Sequence, residues 1–455
     1  MTIFLKTVRF KALISVAIGL TLALSNTVIG QTNSVSPLSI NGFGETSFGV
    51  TPNYLAMGGT GIANVDRFSI NMLNPAGYMN MDFATLEMSG AHRSFRHRIT
   101  DEEIDQANFN TYFDFFGFGF KFNDYFAGSF SVSPMAAKGY SISVADSSDD
   151  FGVFEYRSIG TGGYDRFNFG LASQPLKWLS VGVNAKYIFG EIDESNKTII
   201  ANPDFLSVSN SKQTGISDFT FDFGTQMKFN WGEYRFTAGG VYALGQELNA
   251  RQITSQYTFI NSGIVETPVD TLFYNLSEQG KAVLPSSYGV GIGLSRSRAN
   301  ASISAWDVLV DYRMTQWEEY RSFIPNGGAN PGSNMFNSER ISFGAAIVPA
   351  YAFSSMGKSR NYFALGRYRI GAFQETGQYQ WDGVGYTSRE VTAGISFPVI
   401  YRSLAPGEQK ASFLNICIGR GQRWDGNSAN LREEYWNFNL GVTLNDKWFQ
   451  KFRYR

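Results

Sequence analysis

The sequence predicts an all-β protein, a transmembrane antiparallel β-barrel of about 14 strands with its N-terminal segment as a hatch inside the lumen. Three observations predict it. From about residue 83 onward apolar and polar residues alternate with a period of two, which is what lipid-facing and lumen-facing side chains demand of a barrel strand. The connections between these runs alternate short and long. A leader-like segment opens the chain, and no later stretch has the 18 or more apolar residues of a spanning helix. A soluble sandwich with one wet face fits less well, because too many strands run on without a second sheet to cover them.

The leader comes first. Lys6, Arg9 and Lys11 form a basic region and Ala12 to Leu24 an apolar one, too short for a comfortable spanning helix. Cleavage after Gly30, with Val28 at the other specificity position, leaves Gln31 first. The expected division is a signal peptide at 1–30, a hatch at 31–82 and a barrel at 83–455. Export without a helical anchor places the barrel in the outer membrane of a Gram-negative bacterium. Cys417 is the single cysteine, so there is no internal disulfide. Charge is balanced at −1 and 17% of residues are charged, which gives no reason to expect nucleic acid. Aromatics at 16% and 48 glycines suit interface girdles and close strand approach.

The strands are expected near 83–95, 110–122, 125–134, 153–172, 178–192, 216–229, 233–246, 283–295, 299–312, 339–351, 361–372, 387–399, 410–421 and 434–446. The alternation is clearest from Phe219 to Phe229, where Thr220, Asp222, Gly224, Gln226 and Lys228 share the polar face. Short joins such as Asn123-Asp124 read as periplasmic turns, and long ones near 96–109, 135–152, 193–215 and 247–282 as external loops. Trp178, Trp231 and Trp448 fall at the periplasmic ends, where a girdle belongs. Ala301, Ile303 and Ala305 change phase with Trp306, Val308 and Val310, which calls for a bulge near Trp306. The third strand carries Gly128, Pro134 and, just beyond, Gly139; a proline without a ladder donor marks an edge, a bulge or a break in the wall.

Residues 31–82 are not strand-like. They contain Met57-Gly58-Gly59-Thr60-Gly61-Ile62-Ala63 and then Asn74-Pro75-Ala76, small residues that let backbone turn in a confined space. This segment resembles the N-terminal hatch of the long-chain fatty acid transporter (FadL-like) family of outer-membrane barrels. Leu284 to Gly289, and Asp311-Tyr312 to Trp317, are further echoes. The resemblance implies a fourteen-stranded barrel plugged by its N-terminus, with Gly58, Gly59, Gly61, Asn74, Pro75 and Ala76 as gating elements. It also implies entry of hydrophobic molecules over the loops at 193–215 and 247–282, and lateral exit beside Gly128, Pro134 and Gly139. A Bacteroidota-type branch of the same family serves protein secretion, and the hatch motifs fit that branch too.

A porin lumen should be polar. Here Phe113 and Phe115 fall out of phase with Phe116, Phe118, Phe120 and Phe122, and Phe363 and Leu365 are in phase with Arg367 and Arg369. Phe113, Phe115, Phe363, Leu365, Arg367, Arg369 and Lys186 are candidates for holding an amphiphile, tail against aromatics and head group against cations. The competing account has the phenylalanines packing on the hatch and the cations pairing with acids such as Asp222. No cofactor or metal site is expected. Gly58-Gly59-Thr60-Gly61 lacks the ending of a phosphate loop, and Asp101, Glu102, Glu103 and Asp105 read as a solvated loop. His92 and His97 are the only histidines, so an enzyme, for example a lipid-modifying one, is disfavoured. The expected partners are the lipid bilayer, a hydrophobic small-molecule ligand and the barrel-assembly machinery, with the chain acting as a monomer. The expected function is passive uptake of hydrophobic or amphipathic small molecules; the alternative is a secretion-associated shuttle that binds exported proteins.

Overall fold

Alternation along the strands fixes an inside and an outside, and the ring follows from it. A computed structural model describes residues 34–101, 103–149, 152–261, 265–296, 304–326, 335–352, 362–381, 383–405 and 408–447. Residues 1–33, which include the expected signal peptide, and Glu102, Ala301, Ile303, Trp448 and the end of the chain lie outside the described residues. Fourteen antiparallel strands form a closed sheet: β1 (Ala84–Ile99), β2 (Ile104–Lys121), β3 (Phe126–Ala137, resuming Tyr140–Ser148), β4 (Gly152–Leu176), β5 (Leu179–Ile200), β6 (Ser207–Trp231) and β7 (Tyr234–Ala243, resuming Gln246–Asn261). Then come β8 (Glu266–Leu284, resuming Ser287–Arg296), β9 (Trp306–Thr315, resuming Arg321–Pro325), β10 (Ser338–Ile347), β11 (Arg367–Trp381), β12 (Val384–Ala405), β13 (Glu408–Trp424) and β14 (Arg432–Asp446). Pairing of β14 with β1, from Arg432↔Arg98 to Asp446↔Ala84, closes the ring and removes the sheet edges that lipid would not tolerate.

Phe219, Phe221, Phe223 and Phe229 are exposed on the outer face of β6, while Thr220 and Gln226 are buried on the inner face. On β14, Trp436, Phe438 and Leu444 point out, and Asn437, Asn439 and Thr443 are buried inside. An apolar exterior around a polar interior is the arrangement of a membrane barrel, the reverse of a soluble one. Among the described residues no helix is long and apolar enough to cross a membrane. The end of the ring where β1 starts is called proximal here, and the opposite end distal. Trp178 and Trp231 sit at proximal turns, with Trp178 stacked on Phe229 at 6.0 Å between ring centroids.

The long loops are a correction. The stretches expected as loops at 193–215 and 247–282 are mostly strand: β5 and β6 extend to a turn at 201–206, and β7 and β8 pair as a long hairpin as far as Asn261↔Glu266. Backbone hydrogen bonds persist there although the hydrocarbon pattern stops, since water-exposed strands need no apolar face. The phase change expected across Ala301, Ile303 and Trp306 begins outside the described residues; from Trp306 to Thr315 β9 runs in register with both neighbours. The segment before β1 includes a two-residue strand, Glu45–Thr46, where none was expected.

Candidate functional site: the bore and the parted wall

Residues 34–83 are almost entirely buried, and their partners lie on the polar faces of strands all around the ring. Leu38 packs with Tyr379, Tyr386 and Leu431 beside the distal turns. Tyr78, in the 3-10 turn Pro75–Asn80, donates its hydroxyl to Asn184 Oδ1 at 2.8 Å near the proximal end. The segment therefore runs the length of the barrel before β1 begins.

The two small-residue motifs are brought together. Asn74 caps the Pro75–Asn80 turn by accepting from the Ala76 N–H at 3.0 Å. Its amide donates to the Ile62 carbonyl at 2.7 Å and to the Thr225 carbonyl of β6 at 2.9 Å. Asn74 thus ties the glycine loop to the Asn-Pro-Ala turn and both to the wall. Across the bore, the Gly61 and Ile62 N–H groups donate to Asp311 Oδ2 at 2.6 and 2.9 Å. The Gly58 N–H donates to Thr392 Oγ1 at 3.0 Å, and its carbonyl accepts from Arg340 at 3.1 Å. Gly58 has φ +67°, a left-handed conformation that costs any other residue.

The wall supplies matching glycines. A β-carbon at Gly371 would run into the Met57–Gly58 peptide, and one at Gly182 into the Pro75–Ala76 peptide. Backbone cannot step aside as a side chain can, so overpacking here costs at least the 1–3 kcal/mol usual for tight cores. Gly371→Val is expected to prevent seating of the loop. Limited proteolysis of membrane-embedded protein checks this: cleavage within 55–63 should appear in the variant and not in the parent.

The expected ligand residues do not converge on one site. A bulge at Asp114, where Ser89 pairs with Phe115 and Gly90 with Phe113, resets the phase of β2. Phe113 therefore stays on the outer face, 52% exposed, and only Phe115 turns inward, fully buried. Phe363 is likewise outside: it lies in a 3-10 turn, Tyr362–Leu365, and meets Phe397 edge-on at 5.8 Å. Arg367 spends its charge on Asp66 at 2.8 Å and Asp307 at 2.7 Å, and Arg369 donates to Ser396. With Leu365 they border a crevice of only about 20 Å³, room for one water. Lys186 is ion-paired with Asp222. The pairing account thus holds for these cations. Gly128 is an ordinary paired residue of β3.

Pro134 and Gly139 do mark a break. β2 and β3 pair only as far as Phe116↔Val132. Beyond it β3 shifts register against β4 between Pro134 and Ala136, because proline has no N–H for the ladder and Met135 bulges. The freed edge of β3 is taken by the leading segment: Glu45 pairs with Ala137 and Thr46 with Ala136, and the Ser47 N–H donates to the Met135 carbonyl at 2.8 Å. A β-carbon on Gly139 would strike the Ser34 carbonyl. The β2–β3 ladder thus ends at Phe116↔Val132, and beyond it the leading segment pairs with β3 in place of β2.

Glu45 is held by charge. Arg423 and Arg93 both bind its carboxylate, Arg93 at 2.8 Å, and Ser34 donates to it at 3.1 Å. Arg423 also reaches Glu433 at 3.1 Å, which in turn accepts from Ser36. Burial pushes the Glu45 pKa up, but the two guanidinium charges and these hydrogen bonds outweigh it and hold it below the ordinary value. His97, expected in an external loop, is buried in β1 with Nε2 3.4 Å from Glu433; His92 is also within β1, bonded to Thr111 at 2.7 Å. Sequence reasoning gave no role to Glu45, Glu87, Asp307 and Glu433, and took Asp311 only as part of a family echo. For the four on barrel strands the available signal was an acid in the polar phase; Glu45, in the leading segment, carried none.

Beside the interrupted β2–β3 ladder lies a cavity of about 160 Å³ around Phe48. Met135, Ile188 and Leu284 give it apolar surface, and Arg166, Lys186 and Arg313 give it positive charge. Arg313 stands 5.2 Å over the Phe48 ring. Of the expected ligand residues only Lys186 reaches this chamber.

No curated protein sequence matches the chain. Solved structures do. A Pseudomonas aeruginosa FadL homologue superposes with a TM-score of 0.55 at 11% identity, covering 89% of this chain and 100% of that one. The toluene transporter TodX of P. putida gives 0.54 at 13% identity, covering 88% and 98%. The CymD monoaromatic hydrocarbon channel gives 0.53 at 13%, again covering 88% and 98%. At such identities the likeness is one of fold, and at that level the FadL-like architecture expected from the hatch motifs is present. The sequence itself matches the BamG family model over residues 11–455, nearly the whole chain, and the protein belongs to the BamG family.

Proposed function

We propose that the protein is a non-enzymatic outer-membrane barrel that passes hydrophobic or amphipathic small molecules through a lateral opening between β2 and β3. The observation that carries this reading is the interrupted β2–β3 ladder beside the Phe48 chamber, where Glu45–Thr46 of the leading segment pairs with β3 instead. Residues 31–82 act as the hatch, and the loop at Gly58, Gly59 and Gly61 with Asn74, Pro75 and Ala76 sets how far it yields. A cavity of about 160 Å³ matches one benzene-sized ring or a short alkyl segment. A longer chain would need the leading segment to shift. The cationic side of the chamber suits a carboxylate or another anionic head. Neighbours with this fold include proteins described as toluene and monoaromatic hydrocarbon transporters, which supports the substrate class.

Proteoliposomes loaded with a fatty-acid-sensing dye test it. Saturable entry of a medium-chain fatty acid or a monoaromatic acid should exceed that of empty vesicles. It should fall several-fold when Arg166 and Arg313 are both replaced by glutamine. Rates equal to those of empty vesicles would sink the proposal.

The family match favours a second reading, a companion barrel of the outer-membrane assembly machinery. Ion pairs of the bore such as Lys186 with Asp222, Arg340 with Glu375 and Arg367 with Asp66 and Asp307 support it, since these cations are already engaged by acids of the chain. Recovery of assembly subunits with the tagged protein from native membranes, together with no transport, would select this reading over the first.

A further inference from the structure

The outer wall carries a second site, away from the bore. Register across β10 to β14 sorts the outward side chains into rows. One row reads Ala345, Ile370, Ala393, Ile418 and Phe438, entirely apolar. The next toward the distal end reads Phe343, Ala372, Val391, Arg420 and Trp436. The one beyond reads Ile341, Gln374, Arg389, Gln422 and Glu434. The hydrocarbon boundary therefore falls between the last two, and Arg420 sits one row inside it. An arginine on a lipid-facing wall costs up to about 2–4 kcal/mol at the midplane and less near the interface, so its presence calls for a partner.

Within the protein that partner is not an acid. Arg420 lies over the Trp436 ring at 5.2 Å and has no carboxylate within ion-pair distance among the described residues. Arg389, diagonal to it on β12, donates only to the neutral Gln374 at 3.0 Å. Arg432 stands at the upper rim, paired with Glu434 at 2.8 Å. These groups border an outward-facing hollow of about 800 Å³ whose lower surface is Ile341, Phe343, Ala372 and Val391. Of the three acids that line the hollow, Glu434 is neutralised by Arg432, Glu390 accepts from Tyr435 and Asn437 at 3.1 and 3.0 Å, and Glu339 is on β10, three strands from Arg420. Two adjacent guanidinium groups over an apolar floor, at the level of the head groups, match a phosphate attached to acyl chains.

We infer that this hollow binds a phosphorylated acyl lipid of the distal leaflet, a lipid A-type glycolipid, with its phosphate between Arg389 and Arg420 and its chains on Phe343 and Val391. The site depends on the membrane setting but not on transport, because no bore residue takes part.

Native mass spectrometry of the detergent-extracted full chain tests it. The parent, and an Arg296→Ala control at the opposite rim, should retain a phosphorylated acyl lipid. Arg389→Ala/Arg420→Ala should retain at least tenfold less while keeping heat-modifiable barrel migration. A second measurement needs no variant. The delipidated parent is offered intact or dephosphorylated lipid A, with inorganic phosphate in excess as competitor. Preference for the intact lipid, unaffected by inorganic phosphate, supports the site. Equal retention by the double variant, indifference to the lipid phosphate, or displacement by free phosphate overturns it.

Discussion

Replacing Asp311 with alanine will release the glycine loop. One carboxylate oxygen accepts two N–H groups, Gly61 and Ile62, in a buried setting. Removing it strands both donors, and a buried donor without an acceptor costs about 1–3 kcal/mol. The sum is on the order of 2–6 kcal/mol, or roughly thirty- to twenty-thousand-fold in the opening equilibrium. Amide exchange of residues 57–63 should accelerate within that range while the β1 to β14 ladders stay protected. If the loop exchanges as slowly in the variant as in the parent, Asp311 is not its anchor. Asp311→Asn keeps one acceptor oxygen and should fall between the two.

Glu45→Gln is expected to open the wall. Arg423 and Arg93 lose a buried anion, and breaking one partner of such a pair costs about 3–5 kcal/mol. The two-residue pairing with Ala136 and Ala137 is too short to hold the segment without that charge. Cysteines placed at residues 46 and 136 should cross-link readily in the parent and poorly in the variant. Acid should mimic the substitution. The folded-state pKa of Glu45 lies below the ordinary value of 4.5, so its contribution is complete above that value and is lost as pH falls through the depressed one. Cross-linking yield in the parent should therefore hold from neutral pH down to the ordinary carboxylate range and drop only below it. A yield that is flat through that acid range would remove Glu45 as the latch.

The ring was legible because a period of two is local information: Phe219 to Phe229 announces its outer and inner faces without reference to any other strand. The small-residue run at 57–63 was visible for the same reason, being too long for a turn. Strand ends were not. The distal hairpins carry sequences such as Asp193-Glu194-Ser195-Asn196-Lys197, whose backbone pairs in water while the side chains show no hydrocarbon alternation. The Asp114 bulge was hidden because phenylalanines flank it in both phases, so Phe113 and Phe115 read as one face. The site was hardest, since its partners are remote in the chain: Asp311 and Gly61 are 250 positions apart. Polar phase could say that Asp311, Arg367 and Lys186 point inward, but not which neighbour each would meet. Pro134 did carry its message, since a missing N–H breaks a ladder wherever the strand lies.

The leading segment touches both sides of the place where the cylinder joins itself. Ser69 and Ile70 donate to Glu87 on β1, at 2.6 and 2.9 Å, and Ser36 donates to Glu433 on β14. Seating residues 34–82 before the first and last staves meet would let these groups find their partners without threading a finished hoop. A chain lacking that segment is therefore expected to close less efficiently, which the fraction of heat-modifiable barrel recovered from membranes checks.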